Sequence, residues 1–563
     1  MNFQIRNVFK KSLKVYSQCI FWIIFLALFT TFLLGRRTES RLSHDFSSYV
    51  LPAFAQSHGQ GNVYVDYFIN RPPILFSLIE MWGNTFGWRY SSWVLLEISC
   101  LLVVSLCVYS LARQFLYLIT AQVLTLIFLL TLLFSDMTSM FLTSEILALS
   151  FIILATFILV KAVDLKARSV IVSSALITIS TLVREQFALI PVLFIFGLTY
   201  LAPPNRSKLI VIMQALIGAG IILIFVSTFF VVNQSFSSFY QIFANTFREE
   251  RVGFLQYGTW SLEALTKLDS YFYFSSFSQF GFLVLLFPVG LVCLHQLKQL
   301  REKRGSILFV SNTGYLVFIW IIGISLLIST GWQSHGYRYH GHYALPSFLG
   351  LTIACIGVLG FLQEISNRIN SRTALKQSLN ILLIVIIFVL YLPGQPTMTT
   401  FSESYIHIPS SNFIERISKS DSEVLSSEEV IAKRILLSSP KNFNCSVNVY
   451  GWGVADFYYY TQSKPCSRFF LVNLLRDDKD FEEYRDSLVS NPPRVISYGC
   501  VKVECSDLNY VEIEQLGFPF SKVIKSCYHM IQSRHTGLAD EGLYLSNSNS
   551  PESQKLCINI AMK

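Results

Sequence analysis

Acidic and basic side chains break an otherwise apolar sequence at a few places, and the chemistry of the chain has to be sought there. Asp45 follows His44 at the start of an amphipathic stretch, about a dozen residues beyond a long apolar run. A carboxylate at that boundary can take the proton of an attacking hydroxyl, the part of a general base. Asp is also a common helix N-cap, and spacing alone does not separate the two. Asp66, Tyr67 and Arg71 stand together in YVDYFINRPP, whose two prolines stop any helix and hold Arg71 in an extended segment. Arg71 can bind an anionic head group through paired hydrogen bonds, or it can simply be solvated. Glu145 lies at the mouth of another apolar run, with Asp136 before it, and serves there either as a second acid or as a carboxylate at a helix dipole. Arg184 and Glu185 separate two short apolar stretches, where they pair with each other or hold a phosphate. The segment GWQSHGYRYHGHYALPSF gathers His335, Arg338, His340, His342 and Tyr343. His340 and His342 are close enough to share a metal. The segment contains no carboxylate, which favours anion binding or substrate contact. Arg248 to Arg251 read as a solvated helix face.

The elements that must position these groups are membrane helices. With 52% hydrophobic and 14% charged residues, the sequence does not describe a soluble globular chain. The net charge of +9 lies in short clusters between apolar segments, so it argues topology and not nucleic acid binding. Stretches of about 20 apolar residues span a bilayer core. They predict about eleven transmembrane helices, near 18–34, 93–112, 115–134, 146–163, 169–183, 187–201, 209–232, 279–297, 306–329, 342–362 and 377–392. Lys and Arg recur in every second connection, from Arg113 through Lys161, Arg206 and Arg301 to Arg372. By the positive-inside rule this places the amino terminus in the cytoplasm. The loops 35–92 and 233–278 and the tail 393–563 then lie outside.

The expected organisation is therefore a transmembrane module over 1–392 and an extracytoplasmic α/β domain over 393–563. In the tail, 427–437 and 480–489 have helical polarity, whereas 446–450, 468–472 and 494–498 are short β-rich runs. Six of the eleven cysteines fall there: Cys445, Cys466, Cys500, Cys505, Cys527 and Cys557. An even number suits disulfides in an oxidising compartment, and their pairing is not readable from sequence. A zinc site at Cys500 and Cys505 is the rival reading, but it lacks a second closely spaced pair. The loop 35–92 is far longer than a connection requires, rich in aromatics, and amphipathic over 46–55 and 74–86.

Together these regions resemble the GT-C superfamily of integral-membrane glycosyltransferases, in the branch of protein O-mannosyltransferases and aminoarabinose transferases. The resemblance rests on Asp45 in the first outside loop and the G-x-x-Y-x-D-Y-x-x-x-R-P-P run over 61–73. Glu145, the HYALP run over 342–346 and VYGWGVADFYYYTQSKPCSRF over 449–469 add to it. It implies a polyprenyl-phosphate-dependent enzyme of the plasma (inner) membrane. The expected reaction passes a sugar to a hydroxyl of a lipid, glycan or protein at the outer face, with inversion. Asp45 would be the base and Glu145 the second acid of the site, with Asp66, Tyr67, Arg71, Arg184, Arg338, His342 and Tyr343 around the substrate. Many members carry Asp-Glu where this chain has His44-Asp45, which leaves a divalent metal requirement open. A polysaccharide polymerase or ligase is the alternative enzyme, and a transporter the alternative non-enzyme. The sequence offers no convincing internal repeat for the latter.

Overall fold

A computed structural model describes residues 15–30, 44–69, 71–133, 144–162, 165–201, 207–249, 309–331, 344–368, 425–450, 454–470, 475, 478–499, 518–533 and 542–562. The chain forms two compact units. One comprises 1–39, 95–226 and 252–413; the other comprises 40–94, 227–251 and 414–563.

The described helices that carry the first unit are α1 (Val15–Thr30), α4 (Tyr90–Phe115), α5 (Leu118–Leu133), α6 (Ser144–Lys161), α7 (Ala167–Val183), α8 (Leu189–Leu201), α9 (Lys208–Val232), α11 (Phe309–Gly331) and α12 (Ala344–Arg368). They coincide with nine of the predicted spans; the spans 279–297 and 377–392 lie outside the described residues. Among the described residues, α4, α6 and α9 are long and apolar enough to cross a membrane, and the other helices contribute shorter apolar stretches. A helix satisfies its interior backbone hydrogen bonds within the segment, which is what a hydrocarbon solvent requires.

Between helices, packing rests on small residues and on side chains that reach a neighbouring carbonyl. Ser173 Oγ donates to the Ala155 carbonyl at 3.0 Å, and Tyr315 OH to that of Ala162 at 3.0 Å. On α11 and α12 the backbones nearly touch. A Cβ added at Gly323 would lie 2.5 Å from Ala354 N and 2.7 Å from Gly350 O, so only glycine permits this approach. Burial also differs sharply between helices: 72% of the apolar window of α6 is buried but only 17% of that of α9. The outer face of α9, with Leu216, Ile217 and Ile224, is what a lipid-facing helix presents.

The second unit joins a loop early in the chain to the tail. Its helices include α2 (His44–Ser57), α3 (Pro73–Phe86) and α10 (Phe236–Glu249). The tail begins with α13 (Ser427–Ser438), started by a capping box in which Ser426 and Glu429 exchange hydrogen bonds. It continues through β1 (Cys445–Tyr450), α14 (Val454–Thr461), β2 (Lys464–Pro465), α15 (Asp478–Ser490) and β3 (Val495–Gly499). It ends in α16 (Phe520–Cys527), β4 (Tyr528–Ser533), β5 (Gly542–Ser546) and α17 (Pro551–Met562). The five strands form one sheet in the order β2-β1-β3-β5-β4, with β1 parallel to β2 and β3 and the pairs β3/β5 and β5/β4 antiparallel. Ser446 through Val449 of the interior strand β1 are all buried, as expected of a strand covered on both faces.

Disulfides Cys445–Cys466 and Cys527–Cys557 staple the strand edge and the last helix. Cys500 and Cys505 lie outside the described residues. The predicted helices 427–437 and 480–489 and the strands 446–450 and 494–498 are present. Of the predicted strand 468–472, residues 468–470 run irregularly instead, and 471–472 lie outside the described residues. The physical reason is that the Arg468 carbonyl is engaged by the early loop, where it accepts from Phe68 N at 2.8 Å.

Candidate active site

In the first unit the structure brings together two residues singled out from the sequence. Glu145 lies in the first turn of α6, where its charge suits the positive end of the helix dipole. Helix α7 ends at Val183 because Arg184 adopts an extended conformation (φ −145°, ψ 112°). A single 3₁₀ turn, Glu185–Phe187, then starts the return into α8. The polar run Arg184-Glu185-Gln186 thus turns one apolar stretch into a helix pair, and it aims Arg184 at α6. Arg184 Nη2 stands 2.7 Å from Glu145 Oε1, with the two side chains only 5% and 3% exposed. The Ser144 hydroxyl lies 3.4 Å from the other carboxylate oxygen. Each charge would cost several kcal/mol to bury alone, so each stabilises the other in place. Gln186, the third residue of that polar run, to which the sequence assigns no site role, is fully buried beside them. Among the described residues its amide has no hydrogen-bond partner.

In the second unit, Asp45 is the second residue of α2 and is described through its backbone alone. Asp66, Tyr67 and Arg71 lie on the loop between α2 and α3. That loop is a tight, internally bonded structure. Asp66 Oδ2 accepts from Asn62 N at 2.8 Å, Tyr64 N donates to the Tyr67 carbonyl at 3.1 Å, and Tyr64 takes a positive φ of 73°. Tyr64 OH donates to the Arg71 carbonyl at 2.6 Å, fixing the backbone of the arginine. Arg71 Nε donates to Tyr49 OH at 3.3 Å, and its guanidinium lies 5.9 Å from the centre of that ring. Pro72 and Pro73 then open α3, where proline lacks no needed donor.

Burial holds the phenols of Tyr64 and Tyr67 in the neutral form, well above the usual tyrosine range; at Tyr67 the adjacent Asp66 charge adds to the effect. Burial also raises the Glu80 carboxyl, against the hydrogen bond it accepts from Gln56. Around this loop stand Trp93 and two residues of the 449–469 run to which the sequence assigns no individual role. Lys464 Nζ is 3.8 Å from Asp66 Oδ1, and the buried Trp93 reaches Tyr459 OH at 3.4 Å. Asp136, His335, Arg338, His340, His342 and Tyr343 lie outside the described residues. Among the described residues no three His, Cys, Asp or Glu side chains gather to hold a metal ion.

Residues 70–231 match the sequence family described as dolichyl-phosphate-mannose-protein mannosyltransferase. The structure of ArnT from Cupriavidus metallidurans in the apo state is similar over 95% of this chain and 99% of that one. Its TM-score is 0.51 at 10% identity. The fold is that of the GT-C glycosyltransferases. The archaeal oligosaccharyltransferase AglB from Archaeoglobus fulgidus, solved with an inhibitory peptide and a dolichol-phosphate, also aligns. It covers 95% of this chain and 75% of its own, with TM-score 0.46 and 11% identity. No curated protein sequence matches the chain. The GT-C resemblance read from the sequence thus stands, and with it the membrane location. The family match includes Arg71, Glu145 and Arg184 and does not extend to Asp45 or to the tail.

Proposed function

We propose that the chain is an inverting membrane glycosyltransferase that moves a sugar from a polyprenyl-phosphate donor to an acceptor hydroxyl. The reaction takes place at the outer face of the plasma (inner) membrane, with the amino terminus in the cytoplasm and the tail outside. Residues 1–392 form the catalytic module and 393–563 an extracytoplasmic domain. The observation that carries the reading is the match of 70–231 to a family described by a lipid-phosphate-linked sugar. That segment contains the buried Glu145–Arg184 pair.

In this reading the acceptor oxygen attacks the anomeric carbon while Asp45 removes its proton. The bond from that carbon to the phosphate oxygen breaks, and the lipid phosphate leaves with the electron pair. A single displacement needs one base and no covalent enzyme intermediate. Charge builds on the leaving phosphate, and Arg71, Arg184, Arg338 and His342 are the groups that stabilise it. Asp66, Tyr67 and Tyr343 line the substrate. Glu145 holds the Arg184 guanidinium in one orientation, so less rotamer entropy is lost when an anion binds.

The test is transfer of labelled sugar from polyprenyl-phosphate donors by the purified protein, comparing wild type with Asp45→Asn at matched folding. Turnover by wild type and loss of about 10²-fold or more in the variant is expected for removal of a general base. A fully active Asp45→Asn protein removes the base assignment. Absence of turnover with every polyprenyl donor and acceptor class removes the reading itself.

A further inference from the structure

The second unit contains a clamp between the early loop and the tail, and it centres on Arg468. The Arg468 carbonyl accepts from Phe68 N at 2.8 Å. Its guanidinium stands 5.7 Å from the centre of the Phe68 ring and 5.1 Å from that of Phe469, while Nη2 donates to Glu483 Oε2 of α15 at 2.7 Å. Neighbouring contacts run the same way. The Phe68 and Phe469 rings lie 4.7 Å apart, Tyr67 meets Phe470 at 5.7 Å, and Lys464 approaches Asp66. The segment making these contacts is itself fixed by Cys466, which is bonded to Cys445 at the start of β1. Three residues beyond Phe68 comes Arg71, whose carbonyl is tied back to Tyr64 and whose guanidinium rests on Tyr49.

We infer that Arg468 is a positioning residue for donor binding. By clamping Phe68 it holds the loop in the one conformation that presents Arg71 to the donor phosphate, and the tail acts as the template for that conformation. The inference rests on the function proposed above, since it assigns Arg71 to the phosphate. It gives the tail a role in donor recognition, distinct from acceptor capture. The guanidinium lies within cation–π distance of two rings and makes a charged bond to Glu483. Lysine can keep the charge but not the flat stacking surface.

The experiment uses the full-length protein in detergent or nanodiscs and has two readouts. The first is hydrogen exchange across residues 62–69 in wild type, Arg468→Ala, Arg468→Lys and the control Arg485→Ala, whose side chain pairs with the exposed Asp486 on α15. The second is KM for the polyprenyl-phosphate sugar, KM for the acceptor, and kcat. In Arg468→Ala we expect faster exchange at the Phe68 amide with β1 and β3 still protected. Donor KM should rise by about 5-fold, the size of a lost cation–π contact, with acceptor KM and kcat near wild type. Arg468→Lys falls between, and Arg485→Ala matches wild type.

Unchanged exchange over 62–69 in Arg468→Ala overturns the clamp. Faster exchange with an equal loss in all kinetic constants, or a change in acceptor KM alone, overturns the positioning role. If Arg468→Ala does not fold, Phe68→Leu removes the same ring contact from the loop side and is read in the same way. A wild type that turns over no polyprenyl donor shows the functional reading to be wrong, and the donor role of Arg468 goes with it. The exchange result still decides separately whether the clamp exists.

Discussion

Glu145 and Arg184 meet at 2.7 Å across the ends of α6 and α7, with both side chains almost wholly sealed from solvent. Such a pair is asymmetric in its response to mutation. Removing one partner strands the other charge, which costs about 3–5 kcal/mol, whereas replacing both with neutral groups of similar volume is often nearly neutral. Arg184→Met and Glu145→Gln should therefore each lower the thermal stability of the solubilised protein markedly, and the double variant should recover much of the loss. A double variant no better than the worse single one would mean that these residues are held by separate partners.

Alkaline pH should dissolve the second unit before the helices of the first. Burial raises the phenol pKa of Tyr64, Tyr67, Tyr458, Tyr484 and Tyr528 above the free tyrosine value. A raised folded-state pKa contributes stability that is intact below the unfolded value, about 10, and is lost as pH climbs from there towards the folded value. Phenolate absorbance should lag behind that of free tyrosine and then rise together with loss of protection in β1 and β3. Ionisation of all tyrosines near pH ~10 with the sheet intact would contradict the burial of these rings.

The bond between Cys527 and Cys557 closes a loop with a sequence separation of 30. In the chain-entropy view it stabilises the unit by about 3 to 4 kcal/mol. Replacing both cysteines with serine should make α16 and α17 the first elements cut in limited proteolysis, while the membrane helices resist. Equal protease resistance with and without the bond would show that packing alone secures the last helix.

Two glycines should respond in opposite directions. Gly323→Ala must push α11 away from the backbone of α12 at Gly350 and Ala354, at a cost of about 1–3 kcal/mol. At Gly220 on α9 an added Cβ meets nothing within 4 Å, so alanine there should stabilise by up to ~1 kcal/mol through helix propensity. Melting temperatures of the two variants in the same detergent decide the point.

The membrane helices were legible because lipid leaves no other option: about 20 apolar residues and a satisfied backbone are demanded by the solvent itself. The turn at Arg184 was legible for the same reason, since three polar residues interrupt an apolar stretch. Its pairing with Glu145 was not, because that depends on how α6 and α7 align, which no local pattern encodes. In the tail, β1 and β3 carry the Val and Ile that mark strands, whereas β5, Gly-Leu-Tyr-Leu-Ser, has no β-branched residue and the edge strand β4 has only Ile531. The expected strand at Arg468 failed because its aromatic neighbours pack on the early loop instead of on the sheet, a contact between residues hundreds of positions apart. Tyr49 had no sequence signature, and the approach of Lys464 to Asp66 was not legible either, because both contacts exist only once the fold brings these residues to charged ones.

The second unit is assembled from three separated stretches of chain, and this has a consequence for its biogenesis. Tyr459 donates to the Trp88 carbonyl across a separation of 371 residues. At about 5–20 residues per second of synthesis, Trp88 waits roughly 20 to 70 seconds for the partner that will cover it. During that interval the loop around α2 and α3 has its aromatic side chains and nothing from the tail to bury them against. A ribosome stalled or released ahead of the tail would leave an inserted helical bundle bearing an uncovered, sticky loop, the kind of surface that chaperones and quality-control proteases recognise. Truncation upstream of β1 should therefore reveal itself through rapid degradation of the whole chain, well before any question of catalysis arises.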